Sequence, residues 1–200
     1  MADERLKEKK MAQQLEIEYK TLLNQADYQK VFEYYQLQDQ SFQQQTNYYF
    51  DTSDQQLQKK RWGLRIRQYQ NYGELTLKCP TTTIGLLEIT DSLSLQETKQ
   101  LIEEKRIKLG GEVAKRLTEN GIDPQEVRII AELTTKRYEF PIAVGLLALD
   151  HSWYNGREDY ELELEVSDET QGKIDFSQLL EMLKIPYQKA ENKILRAMNR

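Results

Sequence analysis

Charged and apolar residues alternate in one segment after another of this chain, often with a single sign of charge on the polar face, and that most restricts its fold. In Glu16-Ile17-Glu18-Tyr19-Lys20 a strand conformation puts Glu16, Glu18 and Lys20 on one face and Leu15, Ile17 and Tyr19 on the other. The pattern returns as Arg65 and Arg67 around Ile66, Thr76 and Lys78 around Leu77, and Glu161, Glu163 and Glu165 around Leu162 and Leu164. A one-sided solvated sheet also alternates. Such a sheet usually mixes its signs, however, and uses Thr, Gln and Lys freely. A purely basic Arg65-x-Arg67 face and a purely acidic Glu161-x-Glu163-x-Glu165 face are unfavourable unless a ligand neutralises them.

The turn and cap residues between these segments predict the order of elements. Residues 1–12 read as a charged, frayed helix, and a strand follows from about Leu15 to Leu23. Asn24 can cap a helix running to about Tyr35, with Ala26, Val31 and Tyr34 or Tyr35 as buried positions. A strand over Ser41 to Asp51 leads into a short helical segment, Gln55 to Lys59; the glutamine density between Gln36 and Gln58 is read as compositional drift. Arg61 to Gln70 and Glu74 to Cys79 form a hairpin, ended by Pro80, which has no amide hydrogen to give to a ladder. Gly85 to Ser92 is another strand. Ser94 opens a helix anchored by Leu95, Leu101 and Ile102; Gly110-Gly111 breaks it, and a second runs from Glu112 to Glu119. Strands resume with Val127 to Phe140, bent near Thr134, then Val144 to Trp153 and Arg157 to Val166, joined through Asn155-Gly156, a strong hairpin signal. Phe176 to Leu183 is the final amphipathic helix, and the tail carries Lys189, Lys193 and Arg196.

About eight strands in antiparallel hairpin order must curl or close. If their apolar faces point outward onto the helices, their charged faces point inward. The expected fold is therefore α+β: an eight-stranded antiparallel β-barrel with a charged lumen and helices packed outside, with residues 1–200 as one domain.

The net charge of −5, from 28 basic and 33 acidic residues, argues against nonspecific nucleic-acid binding but leaves room for an anion at a local basic cluster. The single cysteine, Cys79, permits no internal disulfide, no apolar run approaches a membrane span, and Ala2 to Gln14 lacks the apolar core of a signal peptide. A cytoplasmic protein without membrane or nucleic-acid partners is expected. The sequence carries no reading of oligomeric state.

The acidic set is Glu16, Glu18, Asp150, Glu161, Glu163 and Glu88; the basic set is Lys20, Arg65, Arg67, Lys78, Arg137 and Lys193. Clustered carboxylates suit hard cations such as Mg2+ or Mn2+. Arginine forks match phosphate oxygens, and lysine adds mobile charge. Together they imply a polyanionic ligand, a nucleoside triphosphate or inorganic tripolyphosphate. Strand parity turns His151 away from Asp150 and Cys79 away from Lys78, so both read as structural. Trp62 and Trp153 read as core or barrel-cover aromatics.

Glu16-x-Glu18-x-Lys20, followed in order by Arg65-x-Arg67, Lys78, Glu88, Arg137, Asp150, Glu161-x-Glu163 and Lys193, resembles the signature of the CYTH superfamily, the triphosphate tunnel metalloenzymes. Leu149-Asp150 followed by Asp159-Tyr160-Glu161-Leu162-Glu163 is most similar to its small single-domain bacterial members. The resemblance implies a tunnel in which Glu16, Glu18, Asp150, Glu161 and Glu163 hold the metal and Lys20, Arg65, Arg67, Lys78, Arg137 and Lys193 hold the triphosphate. It implies inorganic, thiamine or RNA-capping triphosphatase activity, or a class IV adenylyl cyclase. Hydrolysis of tripolyphosphate, with Glu16, Glu18, Glu161 and Glu163 as its catalytic carboxylates, is the leading expectation. A non-catalytic binding module is a further alternative. Two departures stand out: Thr135 sits where many members have Lys, with Lys136 displaced to the other face, and Lys189 rivals Lys193 as the tail ligand.

Overall fold

The computed structural model describes residues 13–81 and 85–199, so the helix expected over residues 1–12 lies outside the described residues. Eight strands are found there: β1 (Gln13–Leu23), β2 (Gln43–Asp51), β3 (Gly63–Gln68), β4 (Tyr72–Pro80), β5 (Leu86–Ser94), β6 (Arg128–Ile142), β7 (Gly145–Tyr154) and β8 (Arg157–Val166). They close into one antiparallel barrel in the order β1-β5-β4-β3-β2-β6-β7-β8. The long first strand makes the closure. Its residues Gln13–Glu16 pair with β5, and its residues Ile17–Leu23 pair with β8. The β7–β8 turn puts Asn155 and Gly156 at φ 49° and 71°, the two positive values that a tight hairpin turn needs and that Asn-Gly tolerates.

The expected bend in β6 is found at a different place. Thr134 pairs in register with Thr46, their hydroxyls 3.0 Å apart. The register slips instead where Tyr49 faces Ala131 and Phe50 faces Ile129, leaving Ile130 as the extra residue of a bulge.

The apolar core lies outside the barrel wall. Over one half, α1 (Gln25–Tyr34) and α5 (Glu169–Met182) cover Leu149, Leu162 and Leu164 with Val31, Phe176 and Leu180. Over the other, α2 (Gln56–Lys59), α3 (Leu95–Glu103) and α4 (Glu112–Glu119) cover Ile66, Leu75 and Leu77 with Leu57, Val113 and Leu117. Each such side chain contributes about 1.5–3 kcal/mol by leaving water, so the fold is held from outside and its interior is free to carry charge. Short-range chemistry fixes the helix starts. Asn24 accepts from the Asp27 amide, and Ser94 and Glu97 form a reciprocal capping box. At α4 the Asp91 carboxylate takes the Glu112 and Val113 amides at 2.9 and 3.0 Å. Gly111 is at φ 108°, and a Cβ there would stand 2.5 Å from Asp91 Oδ2, so this position needs glycine.

Several expectations need correcting. In α1 it is Asp27 and Val31 that are buried; Ala26 and Tyr34 are exposed and Tyr35 is half-buried. The helix expected from Phe176 begins at Glu169, because the Asp168 side chain caps it by accepting from the Gln171 amide at 2.7 Å. It is also not the last, since α6 (Lys193–Met198) follows. Trp62 packs against the second apolar cluster as expected, whereas Trp153 is 38% exposed. Among the described residues no helix is long and apolar enough to cross a membrane.

Candidate active site in the barrel lumen

Alternation along each strand delivers the charged set to one place. A cavity of about 760 Å³ is lined by Glu16, Glu18 and Lys20 from β1, Arg65 and Arg67 from β3, Lys78 from β4, Glu88 from β5, Arg137 from β6, Glu163 from β8, and Lys193 from α6. Asp150 and Glu161 are fully buried at its wall, where Arg137 and Lys193 reach them. Arg196 lies behind, bridging Asp159 at 2.6 Å and Glu161. Lys189 is exposed on the tail. Between the two tail lysines, Lys193 is thus the one that the fold brings into the lumen.

The contacts fall into two clusters that adjoin across the β1–β8 pairing, where Lys20 stands opposite Glu163. At one, Asp150, Glu161 and Glu163 offer carboxylate oxygens within 4.8 Å of one another. Arg137 clamps Asp150 through Nε and a terminal nitrogen, at 2.8 and 2.7 Å, and also pairs with Glu163. At the other, Lys78 pairs with Glu16 and lies 3.4 Å from Glu88, while Lys20 pairs with Glu18 at 2.6 Å. Arg67 donates to Asn47 Oδ1 at 2.9 Å. Arg65 Nε is buried with no hydrogen-bond partner among the described residues.

Electrostatics follow from burial and pairing. Burial pushes the Glu161 carboxyl up to about 8, against the pull of Lys193 and Arg196. Burial works the same way on Glu163 and Asp150, but there the neighbouring cations win: Lys193 and Arg137 hold Glu163 well below the usual carboxylate range, and Arg137 and Lys193 hold Asp150 below it. Glu18 also ends below its ordinary value, with Lys20 and Lys78 outweighing burial and Glu163. Burial thus favours a proton on Glu161 within the cluster, while the cations hold its neighbours ionised.

The residues set aside by parity are where parity puts them. His151 lies on the outer surface, 2.8 Å from Glu158 and against the Trp153 and Tyr160 rings. Cys79 sits in the outer apolar cluster, where burial pushes its thiol up to about 11. Thr135 is buried with its hydroxyl 2.9 Å from that of Ser152, and Lys136 lies over the Phe42 ring. The glutamine-rich stretch is a different matter. Gln43, Gln45 and Asn47 alternate along β2, and all three are inward-facing: Gln43 and Gln45 line the cavity, and Asn47 holds Arg67. Their period of two was the signal for this. A second cavity of about 900 Å³ adjoins the first and shares Arg137 and Glu139 with it; the rest of its lining is uncharged, with Phe42, Tyr69, Tyr72, Gln68, Gln70 and Asn71 among others. Sequence reasoning also missed Asp159, which accepts from both Arg196 and the Tyr154 hydroxyl.

This arrangement defines a class of protein: a closed antiparallel barrel whose lumen sets arginines and lysines against a cluster of buried carboxylates. Within that class the chain belongs to the CYTH family, whose domain profile matches residues 14–198. It is 37% identical over 186 residues to "Putative triphosphatase YjbK" of Bacillus subtilis (strain 168), covering 93% of this chain and 95% of that one. The crystal structure of "a putative adenylate cyclase" from Bacillus halodurans is 36% identical, with a TM-score of 0.87 over 93% of this chain and 98% of that one. "Putative adenylyl cyclase HpAC1" from Hippeastrum, described as revealing a dominant triphosphatase activity, shares the fold at 21% identity and a TM-score of 0.74, over 92% of this chain and 95% of that one.

Proposed function

We propose that the chain, acting as one unit over residues 1–200 in the cytoplasm, is a divalent-metal-dependent enzyme that hydrolyses a linear triphosphate, inorganic tripolyphosphate foremost. The observation that carries this reading is the meeting of Arg65, Arg67, Lys78 and Arg137 with the Asp150, Glu161 and Glu163 carboxylates inside one barrel. The name of the Bacillus subtilis relative supports it.

Arg65 and Arg67 project from like-facing positions of β3 and grip phosphate oxygens with planar forks; Asn47 fixes the plane of Arg67, and the Nε of Arg65 has a donor to spare. Lys20, Lys78 and Lys193 add point charge. Arg137 contacts both Asp150 and Glu163, so a phosphoryl group that it binds lies beside the metal ligands. Glu16, Glu18, Asp150, Glu161 and Glu163 would hold the metal. An all-carboxylate set with three oxygens within 4.8 Å suits Mg2+ or Mn2+. The bound cation supplies charge neutralisation and polarises phosphoryl oxygens. Water attacks a phosphorus, one P–O–P bond breaks, and no covalent enzyme intermediate is needed. The guanidiniums, fixed before the reaction, stabilise charge on the transferring group.

Cyclisation of ATP is the rival. The second cavity beside the phosphate wall, with the aromatic rings of Phe42, Tyr69 and Tyr72, offers room for a base, and the Bacillus halodurans relative is named for that activity. Incubation with tripolyphosphate, ATP and thiamine triphosphate, with Mg2+ or Mn2+, separates the readings. Metal-dependent phosphate release from tripolyphosphate is expected. Cyclic AMP from ATP would establish the rival, and tight binding without turnover would make the protein a binding module.

A further inference from the structure

Lys193 fills the gap in which a divalent cation would bind. Its ammonium nitrogen lies 2.9 Å from Asp150 Oδ2 and pairs with both Glu161 and Glu163. These are the three carboxylates whose oxygens lie within 4.8 Å of one another. An ion bonded to all three at about 2.1 Å would fall in the same gap, and two cations cannot share it. The remaining oxygens are spoken for by other partners: Arg137 takes Asp150 Oδ1 and Glu163 Oε2, and Arg196 takes Glu161 Oε2.

We propose that Lys193 competes with the divalent cation for the Asp150–Glu161–Glu163 centre, and that metal loading swings its ammonium out of the gap towards the phosphate wall. The identity of the centre rests on the functional reading above. The backbone of α6 stays in place: Ala197 packs with Tyr49 and Leu133, Asn155 Nδ2 donates to Ala197 O at 2.7 Å, and Arg196 keeps its pair with Asp159. Lys193 is the first residue of that helix, and only its flexible stem has to turn. Arrival of the metal then adds a free ammonium to the triphosphate site. By reciprocity, triphosphate that draws Lys193 away strengthens metal binding. Lys193 thus sets the metal affinity and couples it to substrate.

The test is calorimetric titration of Mn2+, without triphosphate, into the full chain and into Lys193→Met, which keeps the apolar stem and removes the charge. The variant should bind Mn2+ at least tenfold more tightly, and Lys189→Met, on the same tail, should bind as the parent does. Because deleting a buried ion pair can destabilise a protein, the parent is also followed directly. One lysine side-chain 15Nζ resonance should move from an ion-paired to a solvent-like position as Mg2+ is added. Mn2+ affinity in Lys193→Met equal to or below that of the parent, or a static lysine spectrum in a parent that binds metal, overturns the competition alone. Absence of metal binding in the parent overturns the functional reading with it.

Discussion

Replacing Glu161 by glutamine should make the metal-free protein more stable, by an amount that grows with pH. Glu161 is fully buried and its carboxyl is pushed up to about 8, against an ordinary value of 4.5. A raised carboxyl favours folding while it is protonated. That stability is fully present below about 4.5 and is lost as pH rises to about 8. Between 4.5 and pH 7 lie about 2.5 pH units at roughly 1.4 kcal/mol each, so the parent loses on the order of 3 kcal/mol by neutrality. Glutamine at this position has nothing to ionise and escapes the loss. Asp150, Glu163 and Glu18 are shifted downward, so their stability is present above the ordinary carboxylate range and fades as pH falls. That behaviour belongs to the acid side of the 4.5 to 8 window; for Glu163 it leans partly on its hydrogen bond with Glu161 and weakens in the variant, a change that the pH 5 value absorbs. For a chain of this size about 3 kcal/mol corresponds to a melting temperature higher by roughly 6–12 °C. Thermal unfolding of parent and variant with a chelator at pH 5, 7 and 8.5 measures the difference, with the pH 5 value absorbing any fixed cost of the amide. A difference that stays constant or shrinks with rising pH would refute the electrostatic account of the cluster.

The same protonated carboxyl must ionise to bind metal, so Mn2+ binding at pH 7 should release about one proton; calorimetry in two buffers of different ionisation enthalpy counts it, and a count near zero refutes the assignment. Glu163→Gln should lose tripolyphosphate hydrolysis while remaining folded, and turnover at the parent rate would remove Glu163 from the metal centre. Arg65→Ala and Arg67→Ala should each weaken tripolyphosphate binding about ten- to a hundredfold, from roughly 1.5–3 kcal/mol per charge-assisted fork, with Arg→Lys recovering only part. Titration in the presence of Ca2+ reads this, and unchanged affinities would make these arginines bystanders.

What the sequence determined by itself was local. Side chains alternate across a strand for steric reasons that need no partner, so parity alone put Glu16, Arg65, Lys78, Arg137 and Glu163 on the charged faces of their strands and His151, Cys79 and Lys136 on the opposite ones; closure under the outer helices then made the charged faces the lumen. Caps and turns are local too, which is why Asn24, Ser94 and Asn155-Gly156 fall where expected. What only the tertiary structure decided was which charges meet. Closure of the barrel sets β1 against β5, whose other neighbour β4 brings Lys78 to Glu16, whereas the Glu18–Lys20 pair is made within β1 itself. Meanwhile Asp150, Glu161 and Glu163 form the tight triad and take their counter-charge from Arg137 and from Lys193, far along the chain. The choice of Lys193 over Lys189 followed from the start of α6, and the Arg196–Asp159–Tyr154 chain from its seating on β6. Pairing energies depend on distance through space and on burial, and neither is encoded in the period of a strand.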